Sequence, residues 1–171
     1  MTKEVLISIK GIQFIENDNV GGVKARKGQE PSLRGHSDNV GSALGRSNAE
    51  AEVLEVVTTG TYHCRDGNQY IKYDEVFEGI EGKASSLISI KGDIVEVRKT
   101  GVLETHMVFD KQKRTTMLYT TPYGTLHMNI TTTNLTTSEH QDNIDIQANY
   151  TLEANEETLS NNVLEIHITS N

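Results

Sequence analysis

From Arg114 to Ile130 the chain reads RTTMLYTTPYGTLHMNI, and this stretch constrains the fold more than any other. Thr115, Met117, Tyr119 and Thr121 alternate with Arg114, Thr116, Leu118 and Thr120. That period of two is what a pleated strand with two unlike faces requires. Pro122 has no N–H to give to a ladder and ends the first strand, while Gly124 supplies the backbone freedom of a tight reversal. The returning strand puts Leu126, Met128 and Ile130 on one face and His127, Asn129 and Thr131 on the other. A chain that repeats this period and nowhere sustains a helical one is confined to antiparallel β architectures.

The repetition is easy to follow. Val5, Ile7 and Ile9 begin the first strand, and Gly11 resets the alternation before Ile12 and Phe14, which predicts a bulge or bend. Leu54, Val56 and Tyr62 share one parity, and Asp66-Gly67 marks a hairpin turn. Ile71, Tyr73, Glu75 and Phe77 then fall on one face, opposite Tyr70, Lys72, Asp74 and Val76. Further strands follow around Ile88 and Ile90, from Ile94 to Lys99, and through Thr105, Met107 and Phe109. After the central hairpin come Ile144, Ile146, Ala148, Tyr150 and Leu152, then Leu164, Ile166 and Ile168. Some eight to ten strands joined by short turns predict an all-β, up-and-down antiparallel barrel, since closure removes exposed edges. A two-sheet sandwich is the competing arrangement.

Length and charge narrow the possibilities. The 171 residues suit one domain with a core that needs no staple. Between about 17 and 50 the chain turns Gly- and Ser-rich without apolar period, so a flexible loop insertion is expected there. A net charge of −8 and the lack of a basic stripe argue against nucleic acid as a partner. The single cysteine, Cys64, excludes an internal disulfide framework. Neither a signal-peptide run nor an apolar window of membrane-spanning length is present. These features predict a cytoplasmic protein.

The strings Thr59-Gly60-Thr61-Tyr62, Tyr70-x-x-Tyr73-x-Glu75, Arg98-x-x-Gly101, Met107-x-Phe109 and Tyr119-x-Thr121-Pro122-Tyr123-Gly124 resemble the YwiB-like family of bacterial proteins. The resemblance spans about Val53 to Ile168 together with the first strand. It implies a lipocalin-like, calycin-type β-barrel of unknown function and brings no established activity. The stretch from Asn17 to Glu50 departs from it, because the family's connection there is much shorter.

Catalytic signals are weak. None of the six histidines stands in a ligand spacing, and His63 and Cys64, being adjacent in a strand, point to opposite faces. No metal and no cofactor is therefore expected. Gly79-Ile80-Glu81-Gly82-Lys83 lacks the glycine spacing and the hydroxyl residue of a phosphate loop. Cys64 has no identifiable base, and nucleophile, base and orienting group nowhere occur together, which makes a hydrolase the weakest reading.

The sharper feature is a charge on an apolar face. Tyr62, Tyr73, Glu75, Met107, Phe109, Tyr119 and Tyr150 share the parities expected to face the interior. An ionised Glu75 there needs a partner. Arg98 and Arg114 are the candidates, since a guanidinium fork can hold a protein carboxylate or that of a ligand. We therefore expect Glu75, Arg98 and Tyr119 to cluster inside the barrel or at its mouth, with Tyr62, Tyr73, Phe109 and Arg114 completing a ligand site. The leading expectation is a non-enzymatic barrel that binds a small amphiphilic or anionic molecule. The alternative is an interaction or regulatory module that uses the outer surface and the 17–50 loop, with homodimerisation left open.

Overall fold

The structure, a computed structural model, describes residues 2–15 and 50–171, so the expected 17–50 loop lies outside the described residues except for Glu50. Ten strands follow in order: β1 (Thr2–Ile15), β2 (Glu50–Arg65), β3 (Asn68–Glu75), β4 (Ala84–Lys91), β5 (Ile94–Gly101), β6 (Glu104–Phe109), β7 (Thr115–Thr121), β8 (Gly124–Glu139), β9 (Asn143–Ala154) and β10 (Glu157–Ser170). Each pairs antiparallel with its sequence neighbour, and β1 closes onto β10. The up-and-down barrel expected from the alternation is what forms, and the sandwich is excluded. No helix among the described residues is long and apolar enough to cross a membrane.

Turn chemistry explains the short connections. Asp66 and Gly67 both hold positive φ, 52° and 78°, as a two-residue hairpin that follows the strand twist demands. Asn155 and Glu156 do the same at 51° and 65° without a glycine, so this turn carries only a faint sequence signal. The bulge expected at Gly11 does not form. Gly11 stays in register with Leu54 on one side and Leu164 on the other. The apparent reset arises because Ile12 and Phe14 place apolar side chains on the outer face. The register shifts lie instead between Thr132 and Asn134 and between Thr158 and Ser160.

The β2–β3 seam is held by a missing side chain. The two strands pair only between Thr61–Arg65 and Asn68–Lys72. A Cβ on Gly60, the residue just before this ladder, would stand 2.5 Å from the Lys72 carbonyl oxygen and 2.6 Å from Ile7 Cδ1. Only glycine lets β3 pass so close before it diverges.

The odd-numbered strands run toward one end of the barrel, called the lower end here. The middle and the opposite end are filled. Ile7, Ile71, Ile88, Phe109, Ile130, Ile146 and Ile168 are essentially inaccessible, and Val95, Met117 and Ala148 pack with them. Toward the lower end the filling is uneven: Tyr73, Ala84, Ser86 and Thr105 stay buried on the β3 to β6 side. Leu54 and Leu126 lie on the inward parity of β2 and β8, yet they are 70% and 60% exposed. The barrel is thus filled at one end and opens at the other along its β2 and β8 walls.

Candidate functional site

Register builds a polar row inside this apolar barrel. Tyr73 on β3 pairs with Ser86 on β4, Ser86 with Lys99 on β5, Lys99 with Thr105 on β6, and Thr105 with Tyr119 on β7. Five consecutive strands therefore carry a hydroxyl or an ammonium on the inner face at the same level. Glu75, two residues beyond Tyr73 and on the same face, accepts a 2.6 Å hydrogen bond from Lys99 Nζ at Oε2. The pair is well shielded, with side chains 8% exposed at Glu75 and 21% at Lys99. The Lys99 ammonium also lies 5.8 Å from the centre of the Phe77 ring, where the ring's negative face attracts it.

The surrounding hydroxyls are only partly satisfied. Burial first, and then the neighbouring Glu75 carboxylate with which it hydrogen-bonds, push the Tyr73 phenol well above its ordinary range. The Ser86 hydroxyl offsets a little of this but stands in no well-formed hydrogen bond. Thr105 Oγ1 is likewise buried without a partner among the described residues. Keeping a buried hydroxyl unpaired costs about 1–3 kcal/mol, so a row selected for stability alone would be apolar at these positions.

The opposite inner wall is different. A recess of about 560 Å³ is lined by Gly11, Gln13, Glu52, Leu54, Tyr150 and Asn162 of the inner parity, together with their neighbours Ile12, Val53 and Val163. Tyr150 stacks edge-on against Phe109, with ring centres 4.9 Å apart. Burial alone pushes its phenol up to about 12. A phenol whose pKa is raised in the folded state contributes stability that is complete below the ordinary value near 10. That contribution is lost as pH rises toward about 12. We therefore expect alkaline unfolding to track phenolate absorbance, with Tyr73 and Tyr150 ionising only as the fold is lost; smooth titration of all six tyrosines in a folded barrel would contradict this.

The residues singled out from the sequence distribute as follows. Tyr73 and Glu75 share the inner face of β3, while Tyr119 stands on the inner face of β7, four strands further along the same row. Arg98 does not join them. It points outward, where its Nη2 lies 3.3 Å from His106 Nδ1, and the neighbouring Lys99 takes its place beside Glu75. Strand alternation is the reason: Val95 and Val97 face inward, so Lys99 does and Arg98 cannot. Arg114 is also outside, 2.6 Å from Glu153 Oε2. Phe109 is core, and Tyr62 lies at the other end of the barrel beside Glu139 and Ile144. Lys99, Ser86 and Thr105 escaped sequence reasoning because Ser and Thr read as ordinary strand residues and Lys as an outward one. The signal that could have found Lys99 is its shared parity with Val95 and Val97.

Arg98, His106, Glu96 and Lys91 form an outer-face network instead. His106 Nε2 is 2.9 Å from Glu96 Oε2, and Lys91 Nζ donates to Glu96 Oε1 at 3.0 Å. Because Arg98 can only donate, His106 Nδ1 accepts and Nε2 carries the proton given to Glu96. Burial pushes the Glu96 carboxyl up, but the hydrogen bonds from His106 and Lys91 outweigh it and hold the group below its usual range. Among the described residues no three His, Cys, Asp or Glu side chains gather as a metal site would require.

Comparison with known proteins agrees with the geometry at the level of fold. No curated protein matches this chain. The crystal structure of the ywiB protein from Bacillus subtilis superposes with a TM-score of 0.71, covering 99% of this chain and 93% of that one at 15% sequence identity. At that identity the match speaks to the barrel alone. A family model described as a domain of unknown function, DUF1934, matches residues 42–166. The chain, a closed ten-stranded barrel with a polar row on its inner face, belongs to this DUF1934 family.

Proposed function

We propose that the protein is a non-enzymatic, cytoplasmic barrel that binds a small anionic amphiphile at its lower end, with Lys99 as the charge anchor. The carrying observation is the inward Lys99–Glu75 pair, in a row with the Tyr73, Ser86, Thr105 and Tyr119 hydroxyls and with a fifth of the Lys99 side chain exposed. A shielded ammonium next to unpaired hydroxyls suits an oxyanion, while exposed Leu54 and Leu126 suit an apolar body. Glu75 keeps the lysine neutralised when the site is empty.

This arrangement sets the sign of a test. With decanoate as the probe in a calorimetric titration, Glu75→Gln is expected to tighten binding about tenfold, because the ammonium is freed while the side-chain shape is kept. Decylamine, with the opposite charge, is expected to bind the same variant more weakly than the wild type. Equal affinities of wild type and variant for both probes would end this reading.

A second reading has its own observation. Among the described residues, Glu50–Gly60 of β2 has a strand partner on one side only, β1, and Val53 and Val57 are exposed on its outer face. An unpaired strand edge with apolar side chains is a template for pairing with another strand. Antiparallel pairing of two copies about Val57 would place Glu55 opposite Thr59 and avoid like charges. On this reading the wild type sediments as a dimer at micromolar concentration and Val57→Lys as a monomer; a wild-type monomer throughout removes it.

A further inference from the structure

We infer that the recess on the β1, β2, β9 and β10 wall is a preformed subsite for the apolar part of the ligand, an aryl group or short acyl chain, and that Gly11 keeps it open. This rests on the reading of Lys99 as the anchor of an anionic head group, and adds where the rest of that molecule lies and what chemistry it has.

Two inner rows define the recess. Leu54, Gly11 and Leu164 stand side by side, continued by Ala148, and the next row runs Glu52, Gln13, Asn162 and Tyr150. The first row has two large residues and two of the smallest, so a hollow lies above Gly11. A Cβ built on Gly11 meets nothing within 4 Å, and its backbone is not in the left-handed region, so no turn and no close approach explains the glycine. Both usual reasons for glycine inside a strand are thus absent, and open space is what its small size preserves.

The floor is rigid before anything binds. Asn162 Nδ2 donates to Ser160 Oγ at 3.0 Å and to the Ser160 carbonyl at 3.2 Å, so its amide is held in place. Tyr150 is fixed by its edge-on contact with Phe109. The cost of ordering side chains around a guest is therefore low. The volume of about 560 Å³ falls within the usual range for small-molecule sites, and the Leu54 side chain and the Tyr150 ring supply its apolar surface beside the polar Gln13, Glu52 and Asn162.

Gly11→Leu is the discriminating variant, because the added side chain enters open space in a strand whose two ladders stay intact. It is expected to melt at or above the wild-type temperature and to bind decanoate at least tenfold more weakly. Butyrate, too short to fill the recess, is expected to bind both proteins alike, and adding Glu75→Gln to Gly11→Leu should still tighten butyrate binding. Wild-type affinity of Gly11→Leu for decanoate, with the Glu75→Gln effect intact, would overturn the recess assignment and leave the Lys99 anchor standing. Loss of the Glu75→Gln effect in both backgrounds, or no binding of either carboxylate to the wild type, would overturn both.

Discussion

Lys99→Met is expected to destabilise the barrel by about 3–5 kcal/mol, the cost of leaving a buried carboxylate without its partner. In a chain of this size that lowers the melting temperature by roughly ten degrees. Without Lys99, the Tyr73 phenol remains to hydrogen-bond the Glu75 carboxylate, whose side chain is 8% exposed. The loss belongs to the stranded charge and not to the packing of the lysine stem. The double variant Lys99→Met with Glu75→Gln should therefore recover most of the stability, since replacing both members of a buried pair is often neutral. Thermal melts of the three proteins at neutral pH decide the matter. A single variant as stable as the wild type would mean that Glu75 turns out to solvent, and would remove the anchor on which ligand recognition depends.

Phe109→Ala should cost a similar amount, about 3–5 kcal/mol, through a different mechanism. Among the described residues Phe109 is the largest fully buried side chain, and it packs in the filled part of the barrel. Its removal leaves a cavity among closely packed core side chains, which relax only partly to fill it. Denaturant unfolding should show a lower midpoint with an unchanged slope. The same substitution removes the ring against which Tyr150 rests, so it should also loosen the lower recess. Phe109→Leu should retain more of both properties. An unchanged midpoint would show that the filled part is not packed as described.

Much of this molecule was legible in its sequence. Period-two alternation assigned the inner face of nearly every strand correctly, and Tyr73, Glu75 and Tyr119 were placed on it from parity alone. The errors share one cause. Which of two adjacent residues faces inward turns on a single step of alternation, and the sequence offers Arg98 as a partner for Glu75 in preference to its neighbour Lys99, because lysine usually lies outside. Gly11 predicts a bulge or bend for a related reason: a glycine in a strand signals either a kink or a space, and only its unbroken pairing with Leu54 and Leu164 tells the two apart. Arg114 and Tyr62 required knowledge of height within the barrel, which alternation does not encode.

By itself, then, the sequence determined the class of fold and the direction of its side chains, because both follow from local backbone geometry and from turn residues that act within a few positions. Only the tertiary structure decided which inward residues stand level with one another. Neighbours in the row from Tyr73 to Tyr119 lie six to fourteen positions apart along the chain, and Gly11 and Tyr150 meet across more than a hundred. Those distances are set by the register of successive hairpins and by closure of β1 on β10, long-range conditions that no local pattern specifies.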